Sequence, residues 1–224
     1  MQISISYLVE GTTDVNFLEQ IIKKVFENAV LYCTKQVEIL TPNNVDKKVG
    51  EDFVTQVLLA AEQSIQDFGA HIFCVQADAD NKNAKDTINN KINPALSALA
   101  QTNPNTHCHN LVAIIPIQET EAWILADTTL LKKEIGTTLT DIELDIYRSP
   151  ETIADPKQTI IAAIRRANQN LTKKRRHNST ISDLYEPIGA QINLNKLRAL
   201  ASFQAFEIEA RAALEKLGLR FATP

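Results

Sequence analysis

The stretch ISYLVEGTTDVNFLEQII (residues 5–22) joins a mostly apolar, strand-like run to a helical pattern across a short turn. The run ends at Val9. Val15, Leu18, Ile21, Ile22, Val25 and Phe26 then recur at three-and-four spacing, the period of an amphipathic helix. Strand, turn and helix in this order open a βα unit. The turn carries Glu10, with Asp14 four residues on. Such turns favour Gly, Ser, Thr or Asn, and a carboxylate closing a buried strand gains nothing there from local structure. Asp14 has a ready local explanation, because an acid complements a helix N-terminus. Glu10 has none.

Working outward, apolar β-type runs occupy 3–9, 29–40, 70–77 and 110–117. Helical patterns separate them. One runs from about Gly50 to Phe68, with Phe53, Val57, Leu58, Ala61 and Ile65 on one face. A weaker one runs from about Ala84 to Ala100 and carries Pro94. Strands alternating with helices imply a parallel sheet, and the nearly all-apolar third and fourth runs suit central strands covered on both faces. After Pro116 the β signal fades. QETEAWILADTTLLKKEIG (118–136) reads as one or two helices and SPETIADPKQ (149–158) as a loop. Further helices are expected over about 157–170, 180–190 and 194–217. The expected fold is therefore α/β: a four-stranded parallel sheet flanked by helices over 1–127, with a C-terminal helical extension over 128–224 packed on it.

Composition bounds the rest. With 224 residues, 44% hydrophobic and 22% charged, the chain can bury a sizeable core. No apolar run approaches the roughly 20 residues that span a bilayer, so no membrane partner is expected. The N-terminus lacks a charged region and a cleavage site, so no signal peptide is expected. Cys33, Cys74 and Cys108 have no metal-site spacing; Cys33 and Cys74, inside apolar runs, read as small core residues, and a reducing, cytoplasmic setting is expected. His107 and His109 flank Cys108, but a partner ligand pair for zinc is not visible. The net charge of −4 argues against wholesale wrapping of nucleic acid. Yet Pro156 to Ser182 contains no Asp or Glu and holds Lys157, Arg165, Arg166, Lys173, Lys174, Arg175 and Arg176. Local charge of this kind can hold a polyanion; the alternative is a solvated loop.

Acidic residues close the expected strands. Glu10 follows the first, Asp78 and Asp80 the third (VQADADNKN), and Glu119 and Glu121 the fourth (IPIQETEAW). In a parallel α/β sheet, ligands bind outside these carboxyl ends. Carboxylates gathered there repel one another, and a hard cation such as Mg²⁺ would relieve them. Each acid has a plainer explanation, Asp78 and Asp80 as turn formers and Glu119 and Glu121 as first-turn helix acids. Their joint occurrence at successive strand ends favours the metal site. A calcium loop is excluded at Asn83 and Asn89, where Gly and Glu are needed. Neither a phosphate-cradling G-x-x-x-x-G-K-[ST] nor a G-x-S-x-G elbow occurs. Trp123 reads as packing a helix onto the sheet, and Phe203 and Phe206, three apart on a helix, as core or as a partner surface.

VEGTTDVNFL (9–18), followed by an apolar strand ending in D-A-D (78–80), resembles a Toprim domain, the catalytic module of topoisomerases, primases and nucleases of the overcoming-lysogenization-defect type. IPIQETEAWILAD (115–127) and NLNKLRALASFQAFE (193–207) are similar to an uncharacterised Toprim-related family of small bacterial proteins, DUF4276-like, often encoded beside an ATPase and linked to phage defence. The resemblance implies a catalytic role for Glu10, Asp78 and Asp80, and Mg²⁺ or Mn²⁺ held by Glu10, Asp14, Asp78, Asp80 and Glu119 or Glu121. Lys82 stands where some Toprim proteins carry a third Asp, and the Ser expected two residues before the later glutamate is absent. The implied activity is metal-dependent hydrolysis of phosphodiesters in DNA or RNA, with Lys173, Lys174, Arg175 and Arg176 holding the backbone and an ATPase as a further partner. A non-catalytic scaffold binding an ATPase or nucleic acid, and a phosphate-sensing domain with a small nucleotide ligand, remain the alternatives.

Overall fold

Strand β2 (Ile5–Leu8) is buried along its whole length and lies inside a four-stranded parallel sheet. The computed structural model describes residues 1–11, 14–48, 50–79, 83–169 and 180–221. In the sheet order β4-β2-β5-β6, β4 is Asn43–Asn44, β5 is Ile72–Gln76 and β6 is Leu111–Ile114. Register pairs Tyr7 with Cys74 and Cys74 with Val112, so β5, from the third apolar run, is central beside β2, whereas β6, from the fourth run and also expected to be central, is an edge strand. The fold is thus α/β, with helices on both faces. Helix α1 (Val15–Val30) covers one face through Phe17, Leu18, Ile21, Ile22, Val25 and Phe26. Helix α2 (Phe53–Phe68) covers the other with Val57, Ala60 and Ala61, ending on a left-handed Gly69 at φ 55°.

The run 29–40 contributes no strand to the four-stranded sheet. Its Ala29 and Val30 complete the last turn of α1, while Leu31 and Tyr32 are exposed. The apolar residues there continue the helical stripe, which a count of strand formers does not distinguish from a strand. Cys33 is only half-buried and makes an isolated antiparallel bridge with Phe221. The chain then forms β3 (Glu38–Ile39), which pairs with β1 (Gln2–Ile3) in a separate two-stranded sheet. It joins β2 only at the polar Asn43–Asn44, where Ser6 pairs with Asn43. A two-residue edge strand held by backbone hydrogen bonds carries no apolar signature, and its register with β2 comes from tertiary packing.

After β5 come α3 (Lys85–Thr87), a π-helical turn over Ile88–Ile92 and α4 (Asn93–Leu99), with Pro94 in the first turn of α4, where its missing N–H costs little. After β6 come α5 (Glu121–Ile124), α6 (Thr128–Glu134), α7 (Asp141–Leu144), α8 (Pro156–Gln169), α9 (Tyr185–Gln191), α10 (Leu194–Leu197) and α11 (Ala201–Lys216). The larger apolar core runs without a break from Ile3 through Trp123 to Leu219 and binds these helices to the α1 face of the sheet. Trp123 packs edge-on to Phe203 and stacks on Phe206, and its indole N–H donates to Ser202 Oγ at 2.8 Å. Helix α9 crosses α1 at Gly189, where a Cβ would stand 3.0 Å from the Phe17 carbonyl oxygen, so a side chain there would press the two helices apart by a few tenths of an ångström. Among the described residues, no helix is long and apolar enough to cross a membrane.

Candidate metal centre

Glu10 leaves the end of β2 beside the end of β5, and the buried Gln76 ties the two strands together there. Gln76 Oε1 accepts the Glu10 backbone N–H at 2.7 Å, and its Nε2 donates to Asp78 Oδ1 at 2.7 Å. The Asp78 N–H in turn donates to Glu10 Oε2 at 3.2 Å. Glu10 and Asp78, 68 residues apart in the chain, therefore share one small network. The Asp78 carbonyl accepts from Thr87 Oγ1 at 3.3 Å, and Ala79 forms a parallel bridge with Ile117 that prolongs the sheet past β6. Beyond that bridge Gln118 adopts a left-handed φ of 66°, turning the chain toward Glu119 and α5.

Asp14 stands at the N-terminus of α1, but its side chain makes no capping hydrogen bond and is only 7% exposed. Burial first, then the charge on Glu121 and that on Glu119, push its carboxyl up to about 7, against a lowering pull from Lys157. Burial, then the charges of Asp14, Glu10 and Glu121, push the Asp78 carboxyl up to about 8. Glu119 is also raised, by burial and then Glu121. Glu121 lies 3% exposed in the first turn of α5, accepts the Tyr185 hydroxyl and faces Lys157 Nζ at 3.4 Å. Lys157 also donates its backbone N–H to Glu119 Oε2 at 3.4 Å. Thr120 Oγ1, buried between these acids and near enough to Asp14 to favour its charged form, makes no hydrogen bond of good geometry.

The structure thus brings Glu10, Asp14, Asp78, Glu119 and Glu121 to one rim of the sheet. Asp80, Lys173, Lys174, Arg175 and Arg176 lie outside the described residues. Among the described residues, no three His, Cys, Asp or Glu side chains come together as a group that could hold a metal ion. The donor set still suits a hard cation: oxygen ligands only, with two carboxyls whose charges are mutually unfavourable and an orphaned hydroxyl beside them. His107 and His109 engage neighbouring threonines, His107 Nδ1 with Thr106 Oγ1 and His109 Nε2 with Thr102 Oγ1, each at 2.9 Å.

Sequence reading missed Gln76, Tyr185, Thr120 and Lys91. Gln76 had a signal, being the polar residue in the apolar run IFCVQA. Lys157 was visible only as part of a basic segment. Tyr185 reaches Glu121 across 64 residues and left no local mark.

In a parallel α/β sheet ligands bind outside the carboxyl ends of the strands, which is where this acid-lined rim lies. The chain belongs to the family described as a domain of unknown function (DUF4276), whose model matches residues 9–209. No curated protein and no solved structure matches the chain.

Proposed function

We propose that the rim is a divalent-cation site of Toprim type and that the protein hydrolyses phosphodiester bonds in DNA or RNA. One observation carries this reading: Asp14, buried, and Asp78, half-buried, come from separate elements to one rim with their carboxyls raised by desolvation and by neighbouring acids, an arrangement that favours a bound cation. Glu10, Asp14 and Asp78, with Asp80 adjoining and Glu119 or Glu121 on the far side, would hold Mg²⁺ or Mn²⁺. Such an ion supplies Lewis acidity and a bound water of lowered pKa to a phosphodiester. Gln76 holds Asp78 Oδ1 and the Glu10 backbone N–H, which ties the ends of the two strands together. Glu10 would take or return a proton at the reacting oxygen, as the Toprim resemblance implies. Lys157 offsets Glu119 and Glu121, and its ammonium is accessible to a charged substrate. The basic residues at 173–176 would grip the backbone electrostatically. The motif resemblance also supports an ATPase partner and a role in phage defence.

The test is cleavage of plasmid DNA and of RNA with added Mn²⁺, comparing wild type with the double variant Asp78→Asn, Asp80→Asn, alongside calorimetric Mn²⁺ titration of both. Cleavage and Mn²⁺ binding by wild type, both lost in a variant that still unfolds cooperatively, supports the reading. A double variant that cuts and binds as well as wild type overturns it. Mn²⁺ binding without cleavage of either polymer points instead to the phosphate-sensing alternative, and no binding at all to the scaffold.

A further inference from the structure

Glu10 already has a cation beside it. Lys91, from the π-helical turn, places its Nζ 3.1 and 3.3 Å from the two Glu10 carboxylate oxygens. The same ammonium lies over the Phe53 ring, 5.9 Å from its centroid. Lys47 donates to the Glu10 backbone carbonyl at 3.1 Å. These residues, with Glu51 and Gln76, line a cavity of about 190 Å³ on the β4 side of the rim, large enough for a phosphate group. Both side chains of the Lys91–Glu10 pair are partly exposed, 28% and 38%, so the contact is held loosely and can be exchanged. Lysine suits exchange, because its charge is a compact point on a flexible stem.

Two cations cannot share one carboxylate without repelling each other. We propose that Lys91 is a displaceable counter-ion. It neutralises Glu10 in the metal-free protein. When a divalent ion takes Glu10, the Lys91 ammonium turns into the adjoining cavity and, with Lys47, binds one phosphate of the nucleic-acid backbone. Metal occupancy and substrate binding are thereby linked: the phosphate subsite gains its second uncompensated positive charge only once the metal is bound. This rests on Glu10 being a metal ligand, and it assigns Lys47 and Lys91 to phosphate positioning on the side of the rim opposite Lys157.

The test uses the full chain and two probes, Mn²⁺ alone and the dinucleotide pTpT, titrated calorimetrically into wild type, Lys91→Met, Lys47→Met and Lys23→Met. Lys23 is an exposed lysine paired with Glu27 on α1 and controls for general loss of charge. Lys91→Met is expected to bind Mn²⁺ about threefold to fivefold more tightly, the size of losing a partly exposed competing ion pair, and Lys23→Met to match wild type. With Mn²⁺ present, pTpT is expected to bind wild type and to lose about tenfold in affinity in Lys91→Met and in Lys47→Met, as for a lost hydrogen bond to a charged group. Wild-type Mn²⁺ binding with an unchanged Lys91→Met, or equal tightening by Lys23→Met, overturns this proposal and leaves the metal centre standing. Absence of Mn²⁺ binding in every protein overturns both.

Discussion

Asp14 and Asp52 stand at the entrances of two 16-residue helices, and they do opposite things. Asp52 is extended, exposed, and caps α2 by accepting the N–H groups of Val54 at 2.9 Å and Thr55 at 3.2 Å. Hydrogen bonds from the Thr55 hydroxyl and backbone hold its carboxyl below the usual range. Asp14 has helical backbone angles, caps nothing, and is buried among other acids that raise it. The first carboxylate is satisfied by the helix it begins. The second is left unsatisfied by its own helix and faces a shared rim. A capping residue stabilises the fold at no cost to its own ionisation, whereas a buried acid facing Glu121 and Glu119 opposes folding at neutral pH unless a proton or cation joins it.

Exchanging the roles breaks the comparison most sharply. Asp14→Asn is expected to lower Mn²⁺-dependent cleavage by about 100-fold or more, the scale of losing one charge-stabilising group in an active site, while Asp52→Asn leaves cleavage at the wild-type level. Cleavage assays at matched protein stability decide it, and equal losses in the two variants would remove the distinction. The linked effect on stability is smaller. Both Asp14 and Asp78 are raised from 3.8 when the chain folds, to about 7 and about 8, so their contribution favours the fold below about pH 3.8 and is lost as pH rises through about 7 and then about 8. Metal-free wild type should therefore lose stability from pH 5 to pH 8, and Asp14→Asn should flatten that slope. Relief of one pKa unit is worth about 1.4 kcal/mol, or about 3–5 °C in melting midpoint for a chain of this size. Thermal melts at the two pH values with EDTA measure it.

A third measurement sharpens the same point with metal. Millimolar Mn²⁺ should raise the wild-type midpoint at pH 8 by a few degrees through mass action and leave Asp14→Asn unmoved. A shift of equal size in both would place the ion elsewhere. The smallest effect belongs to ordinary caps. Asp127 accepts the Leu130 N–H at 3.1 Å at the start of α6, and Asp127→Ala should cost about 1 kcal/mol with no change in Mn²⁺ affinity. Asp52→Ala should lower stability in the same sense.

Much of the rim could be read in the chain, because strand ends in a parallel sheet all open on the same edge and each acid sits just past an apolar run. Glu10, Asp78, Glu119 and Glu121 were located that way. Asp14 was harder: an acid before a helix looks the same in sequence whether it caps or not. The edge strand Asn43–Asn44 was not legible, since its pairing with β2 is made by backbone groups that every residue carries. The strand expected over 29–40 failed for the converse reason, because its apolar residues belong to the final helical turn of α1 and to the short β3.

By itself, the sequence determined the period of most apolar runs, 29–40 excepted, hence the alternation of strands and helices, the parallel sheet and the acids at its exits. Those are local properties, written in residues a few positions apart. Tertiary structure alone decided that Asp14 turns away from its own helix, that Gln76 joins Glu10 to Asp78, that Tyr185 and Lys157 reach Glu121, and that Lys91 neutralises Glu10. Such contacts join residues up to 81 positions apart, and charge and burial act through space, which no spacing along the chain records.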